Sequence, residues 1–327
     1  MDAEPIDWLT LILSFLGGLA LFLYGVNQLA ERLRDVGDER IKSVLARGTG
    51  NRVSGLFTGT LATVALDSSS ATIILVIALI DAQLISFAAS LPVILGSNIG
   101  TTVSSQVFAW SLDRYAPLIL VGGLGMALLS RSKKVRSWGL VIFNLGLILF
   151  ALGFIGDAAE PLEDHPGVAA LVEQLEAPLL GVLAGAVLTV ILQSSSATLG
   201  IVIIMASQGV VSLEAGLALM LGAEIGTCAD TLVATIRRSA PAVRAGVFHL
   251  VFNLVSACVG VALIEPLGDF ARWSATDVGQ EIANAQVLYN VIGALIFLLF
   301  VPWAAKLLTV LIPGRETPDA RLEPAPA

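Results

Sequence analysis

Two apolar stretches, Val53–Ile80 and Leu179–Ser207, are each cut in the middle by a run of small polar residues. The runs read Asp67-Ser68-Ser69-Ser70-Ala71-Thr72 and Gln193-Ser194-Ser195-Ser196-Ala197-Thr198. They belong to a longer duplication, in which residues 55–103 align with residues 181–229 at a constant offset. Shared apolar composition alone does not line up polar runs, so the chain carries an internal repeat. Two copies are too few for a soluble solenoid, which also needs polar outer faces. A second paired element follows the first. It reads Gly96-Ser97-Asn98-Ile99-Gly100-Thr101-Thr102 in one copy and Gly222-Ala223-Glu224-Ile225-Gly226-Thr227-Cys228 in the other. The preceding apolar segment is echoed too, Gly18–Val26 resembling Gly146–Phe154.

The rest of the chain says where such repeats sit. Charged residues make up 13% of it and hydrophobic residues 56%, against roughly 25% charged in a soluble domain. Apolar stretches long enough to span a bilayer run Trp8–Ala30, Phe87–Trp110, Trp138–Ile155, Leu213–Ile236, Ala245–Leu267 and Val287–Leu311, with a shorter one at Tyr115–Ser130. The composition excludes a soluble enzyme and a disordered chain. A net charge of −8 excludes a broad basic field for nucleic acid, so any anion must be held by local groups. Cys228 and Cys258 both lie in apolar stretches and give no disulfide framework. The N-terminal segment MDAEPIDW has no basic residue and does not read as a cleaved signal.

Basic residues set the orientation. They cluster at Arg32, Arg34, Arg40, Lys42, Arg47 and Arg52, at Arg131, Lys133, Lys134 and Arg136, at Arg237, Arg238 and Arg244, and at Lys306, Arg315 and Arg321. Gly156–Ala177 and Glu265–Gln286 are acidic, with Arg272 as their one basic residue. Were Val53–Ile80 a single span, the cluster at Arg131–Arg136 would fall outside. If it enters and returns on one side, every basic cluster falls inside. Leu179–Ser207 behaves likewise from the other side. Two full crossings per region would suit the charges equally, but arms of about 13 residues are short for spanning. The expected fold is an all-α integral membrane protein with its N-terminus outside and its C-terminus in the cytoplasm of the cell (inner) membrane. It has two inverted-topology repeats, each with a re-entrant hairpin and an interrupted transmembrane helix.

The expected organisation follows. Residues 1–137 hold a span, an interfacial helix, hairpin 53–82, interrupted span 87–110 and a further span. Residues 138–267 repeat this order with hairpin 179–208 and interrupted span 213–236. Residues 268–312 add a C-terminal span, and 313–327 a short disordered tail. Glu31–Asn51 and Pro161–Ala177 read as the two interfacial helices.

Inverted repeats with broken segments are the architecture of secondary transporters, which bind substrate between the repeats. Non-helical backbone at membrane depth is tolerated only against a cavity or inside protein. A Ser-rich tip is also a helix start, where N–H groups lack intrahelical partners and the dipole favours an anion. Two facing tips would surround one small oxyanion with hydroxyl and amide donors. Nearby backbone and carboxylate oxygens would suit small hard cations. Ser and Thr in membrane helices often only tie helix to helix; duplication of the whole pattern weighs against that reading here. His249 reads as a packing residue, Asn144, Asn253 and Asn290 as interhelical glue, and Arg244 as a topogenic charge.

The paired Ser-Ser-Ser runs, each followed by a Gly-x-x-Ile-Gly-Thr element, resemble the type II sodium-dependent phosphate cotransporter family. So does His249-Leu250-Val251-Phe252-Asn253, with partial copies at Phe143-Asn144 and Tyr289-Asn290. The resemblance spans about residues 10–310 and implies Na⁺-coupled symport of inorganic phosphate between the two hairpins. On it, Ser68, Ser69, Ser70, Ser194, Ser195, Ser196, Asn98, Thr101 and Thr227 are the candidate phosphate ligands. Asp67, Thr72, Gln193, Thr198 and Glu224 are the candidate sodium ligands, with sodium the only metal and no organic cofactor. The long C-terminal domain of some bacterial relatives is expected to be missing. Two positions depart from the pattern. Asp67 stands where Gln is usual and Glu224 where Asn is usual, so each repeat carries one acid and one amide in swapped places. Sodium and proton coupling both stay open, as do a channel and a transporter for another oxyanion. An intramembrane hydrolase would need a base near the serines, and there is no Gly-x-Ser-x-Gly elbow or neighbouring His. The chain is therefore expected not to be an enzyme.

Overall fold

The computed structural model describes residues 7–314 except 111 and 164, and of residues 35–40 and 42 the backbone alone. The expected tail, beyond Gly314, lies outside the described residues, as do Arg315, Arg321 and the side chains of Arg40 and Lys42.

Every regular element among the described residues is helical. The first half contains α1 (Trp8–Arg47), α2 (Arg52–Leu66), α3 (Ser69–Asp81), α4 (Phe87–Ala109) and α5 (Ala116–Leu129). The second contains α6 (Lys133–Ala159), α7 (Pro166–Glu176), α8 (Pro178–Leu192), α9 (Ser195–Ser207), α10 (Leu213–Gly226), α11 (Cys228–Val233) and α12 (Ala240–Ala262). Two more follow among the described residues, α13 (Ile264–Ser274) and α14 (Val278–Leu311).

Among the described residues, 7 helices are long and apolar enough to cross a membrane: Trp8–Arg34, Phe87–Ala109, Leu112–Leu129, Lys133–Leu162, Leu213–Val233, Ala240–Ala262 and Val278–Leu311. Large apolar side chains point outward from them, among them Leu118, Val121, Leu129, Leu299, Trp303 and Val310. A soluble surface does not carry contiguous apolar faces of this kind. The chain is a multi-span membrane protein. Helices α2, α3 and α9 are apolar but shorter. Arms of 15 and 13 residues reach about 22 and 20 Å at 1.5 Å per residue, less than the ~30 Å of a hydrocarbon core.

The packing repeats as the sequence does. Helix α2 lies along α4, and α8 along α10. Their backbones nearly touch because glycine stands at each crossing. A Cβ on Gly59 would strike the carbonyl of Val93, and one on Gly185 the carbonyl of Leu219. Gly96 meets the Leu56 carbonyl just as Gly222 meets that of Val182. Each contact recurs at the same offset as the sequence repeat. Helix α1 packs along α6, where Gly18 faces Ile155 and Gly25 faces Ile148. Three apolar clusters result. One joins hairpin α2–α3 with α4, α12 and α14. The next joins α9, α10, α13 and α14. The last joins α1, α6 and α9 around Phe22 and Phe108.

Several boundaries differ from the sequence reading. The helix over residues 87–110 is not interrupted: α4 runs unbroken through Pro92 and the Gly96–Gly100 element. Its polar side chains bond their own helix instead of opening it, Ser97 Oγ to Ile94 O at 2.7 Å and Thr101 Oγ1 to Ser97 O at 3.2 Å. In the second half the break is one residue, Thr227, which keeps helical torsions of φ −58 and ψ −25. The stretch 31–47 is no separate interfacial helix; it continues α1 to Arg47. Helix α7 is separate, and meets α8 at a bend of 104°. The span expected over Ala245–Leu267 begins earlier and ends at Ala262. Part of the acidic segment after it folds as the amphipathic helix α13, where Arg272 pairs with Glu214 at 2.8 Å.

Candidate functional site

The two Ser-rich tips fold alike. Helix α2 ends on Asp67 and α8 on Gln193, both left-handed, with φ 49, ψ 34 and φ 54, ψ 28. Such a residue is uncommon outside glycine; its appearance at equivalent positions marks a turn built twice. Ser68 and Ser194 follow in extended conformation and cap the next helix. Their Oγ atoms accept from the N–H groups of Ala71 and Ala197, each at 3.1 Å. Thr72 and Thr198 donate back to the carbonyls of Ser68 and Ser194, again at 3.1 Å. A clasp joins the two arms of each hairpin: Thr63 Oγ1 to Thr72 Oγ1 at 3.0 Å, and Thr189 Oγ1 to Thr198 Oγ1 at 2.9 Å. The capping serine satisfies one N–H of the helix start. Those of Ser69, Ser70, Ser195 and Ser196 precede the first intrahelical bond and remain the donors that such a terminus offers an anion. Ser69, Ser195 and Ser196 are buried, while Ser68, Ser70 and Ser194 are half-buried.

The remaining candidates divide between hairpins and helices. Asn98 and Thr101 on α4 and Thr227 beyond α10 are buried. Asn98 Nδ2 donates to Ile94 O at 3.0 Å and Thr227 Oγ1 to Ala223 O at 2.9 Å. Asp67 accepts a hydrogen bond from Ser104 Oγ on α4. Both line a cavity of about 190 Å³ walled by Leu29, Val64, Phe108 and Leu145. Gln193, its counterpart, is exposed. Glu224 is buried on α10, where its Oε1 accepts from Gln286 Nε2 at 2.9 Å and Asn290 Nδ2 at 3.0 Å.

Sequence reasoning missed three residues here, Ser104, Asp230 and Gln286, and gave a fourth, Asn290, no place beside Glu224. Ser104 pairs with Asp67, and Asp230 on α11 lies beside Ser70 of the first tip, a contact across the two halves. Residues 104 and 230 are themselves equivalent in the repeat, so the acid-for-neutral swap at 67 and 193 has a reversed partner. That reversal was visible in the alignment just beyond the compared stretch. Gln286 and Asn290 fall outside the repeat, and nothing in it pointed to Gln286. Asn290, expected as glue, does bridge helices. Asn253 does so too, reaching Cys228 Sγ on α11 at 3.4 Å besides His249 O of its own helix at 3.2 Å, whereas Asn144 bonds its own helix alone, at Leu140 O, 2.8 Å. His249 is a packing residue as expected, its Nδ1 held by Thr231 Oγ1 at 2.9 Å. Arg244 is not a surface charge. It is 1% exposed, and donates to the carbonyls of Ile312 at 2.9 Å and Gly314 at 3.3 Å. A guanidinium with several donors can hold the end of α14 where a merely topogenic charge would stay in water.

A family model described as Na⁺/Pi-cotransporter matches residues 21–157 and 165–266. The chain belongs to the Na⁺/Pi-cotransporter family. Both tips and both glycine elements fall within the matched residues. Helix α14, with Gln286 and Asn290, lies beyond them. The family consists of transporters, not enzymes. Among relatives of this cotransporter-family chain, the uncharacterized protein YqeW of Bacillus subtilis (strain 168) is 29% identical over 306 residues, 93% of this chain and 99% of that protein. The putative inorganic phosphate export protein YjbB of Escherichia coli (strain K12) is 26% identical over 314 residues, 96% of this chain and 58% of that protein. The chain thus spans little more than half of YjbB. Sodium-dependent phosphate transport protein 2A of Rattus norvegicus is 30% identical over 96 residues, 29% of this chain and 15% of that protein. No solved structure matches.

Proposed function

We propose that this chain is a secondary transporter of inorganic phosphate, driven by sodium, which binds phosphate between the two Ser-rich hairpin tips. The observation that carries the reading is the duplicated turn: two left-handed residues, two serine caps and two helix starts in one geometry. Each start offers amide and hydroxyl donors, and a tetrahedral oxyanion accepts from several directions at once. Ser68, Ser69 and Ser70 act from one side, Ser194, Ser195 and Ser196 from the other, with Asn98, Thr101 and Thr227 lining the path. Asp67, Thr72, Gln193, Thr198 and Glu224 supply oxygen to coupling sodium ions, which offset repulsion between carboxylates and anion. The residue 1–137 and 138–267 halves take opposite orientations in the inner membrane, with the N-terminus outside and the C-terminus inside. Sodium is supported by the family's description and by the relative from Rattus norvegicus. A second reading, phosphate export, is favoured by the name of the Escherichia coli relative, and differs only in the gradients imposed.

Binding tests the site directly. Purified protein should bind ³²P-phosphate in the presence of Na⁺, and phosphate should be displaced by arsenate but not by chloride. Absence of phosphate binding by folded wild-type protein would end this reading.

A further inference from the structure

Glu224 is a carboxylate that is 2% exposed, and among the described residues no cationic side chain pairs with it. Acids at membrane depth are costly and are normally paired. Its two partners are amides from α14, Gln286 and Asn290, both buried. Each gives its nitrogen to the carboxylate. The oxygen at the other end of each amide, Gln286 Oε1 and Asn290 Oδ1, has no hydrogen-bond partner. Buried polar atoms without partners are rare. Here two occur on the two residues that hold one unneutralised charge.

We propose that Glu224, Gln286 and Asn290 form a site for a monovalent cation of sodium's size, closed by α14 rather than by either duplicated half. The proposal rests on the reading of the chain as cation-coupled and names the ligands of one cation. An amide carries a donor and an acceptor on one planar group. A half-turn about its last bond exchanges nitrogen for oxygen in nearly the same place. With the site empty, the NH₂ groups face Glu224 and satisfy its charge. With a cation bound, the amides reverse and three oxygens converge. The present N···O separations of 2.9 and 3.0 Å then become separations between oxygens sharing one ion, close to those around a cation that takes oxygen at roughly 2.3–2.6 Å. A carrier must pass through both states without stranding a bare buried charge, and this trio provides for each.

The site has no twin. The residue equivalent to Glu224 is Asn98, which is neutral and bonds its own helix. Asn290 makes the same bond to its own helix, to Gln286 O at 3.2 Å, but also reaches Glu224. The structure thus accounts for a single such cation in an otherwise duplicated molecule.

The test is thermal unfolding of the detergent-purified chain, without phosphate, as NaCl replaces choline chloride at constant ionic strength. A cation that binds only the folded protein raises Tm in proportion to the logarithm of occupancy. Wild-type Tm is expected to rise with Na⁺ and not with K⁺. Gln286→Leu and Asn290→Leu should each raise the half-saturating Na⁺ at least tenfold. Asn290→Asp sets a second carboxylate beside Glu224. It should unfold at lower temperature without Na⁺, gain more from Na⁺ than wild type, and half-saturate at lower Na⁺. This variant decides the matter alone if the leucine variants do not fold. A Na⁺ response unchanged in all three variants would overturn this assignment and leave the phosphate reading intact. A wild-type protein that moves phosphate but shows no Na⁺ response would overturn sodium coupling and this site together.

Discussion

At the scale of single residues, the hairpin tips make a direct prediction. Ser69 and Ser195 are buried at the first positions of α3 and α9, while the capping bonds belong to Ser68 and Ser194. Replacing Ser69 or Ser195 by Ala therefore leaves the caps in place and removes one hydroxyl from the proposed phosphate site. A hydrogen bond to a charged group is worth roughly 1.5–3 kcal/mol, so apparent phosphate affinity should fall about ten- to hundredfold in each variant. Uptake against phosphate concentration in reconstituted vesicles measures this. Wild-type affinity in both variants would remove the serines from the site. Arg244 makes a second prediction. Its donors hold the carbonyls of Ile312 and Gly314 just past the end of α14, and its guanidinium lies 5.9 Å from the Phe87 ring. Lysine has neither the fork nor the planar stacking face. Arg244→Lys should thus destabilise almost as much as Arg244→Met. A Tm for Arg244→Lys equal to wild type would show that charge alone suffices.

At the scale of elements, the glycine crossings carry the packing. Gly59→Ala and Gly185→Ala each drive a methyl into a backbone carbonyl, which cannot move as a side-chain tip would. Overpacking of this kind costs typically 1–3 kcal/mol, and equivalent crossings predict similar losses in the two variants. Calorimetry of each would check it; an unchanged Tm in either would mean that the helices separate without cost. The same elements show what was legible in the sequence. The tips were, because a polar run inside an apolar stretch has few folded solutions and occurred twice. The unbroken α4 was not. Gly96, Asn98 and Gly100 suggest an opening, yet glycine serves equally for close approach, and the Asn and Thr side chains found acceptors on their own helix. The Glu224 partners were hidden for another reason: residues 286 and 290 are far from 224 in sequence and lie outside the repeat, so no spacing links them. Arg244 was misplaced because a charge count cannot distinguish a residue facing water from one bonded to carbonyls.

At the scale of the whole molecule, charge placement predicts sidedness. Cys258 is exposed and Cys228 buried, so a background lacking both gives a clean start. On it, Lys134→Cys, in the first turn of α6, should react with an impermeant maleimide only from the cytoplasmic face. Glu173→Cys in α7 and Asp269→Cys in α13 should react only from outside. Labelling of all three from one face would contradict opposite orientation of the halves. Sodium-driven phosphate transport is measured by initial ³²P-phosphate uptake into proteoliposomes holding the purified chain, with Na⁺ or choline outside and no other gradient. Uptake should depend on the inward Na⁺ gradient, accumulate phosphate above its external concentration and collapse when Na⁺ is equalised. Uptake at the same rate in choline, stopping at equal concentrations, would contradict it.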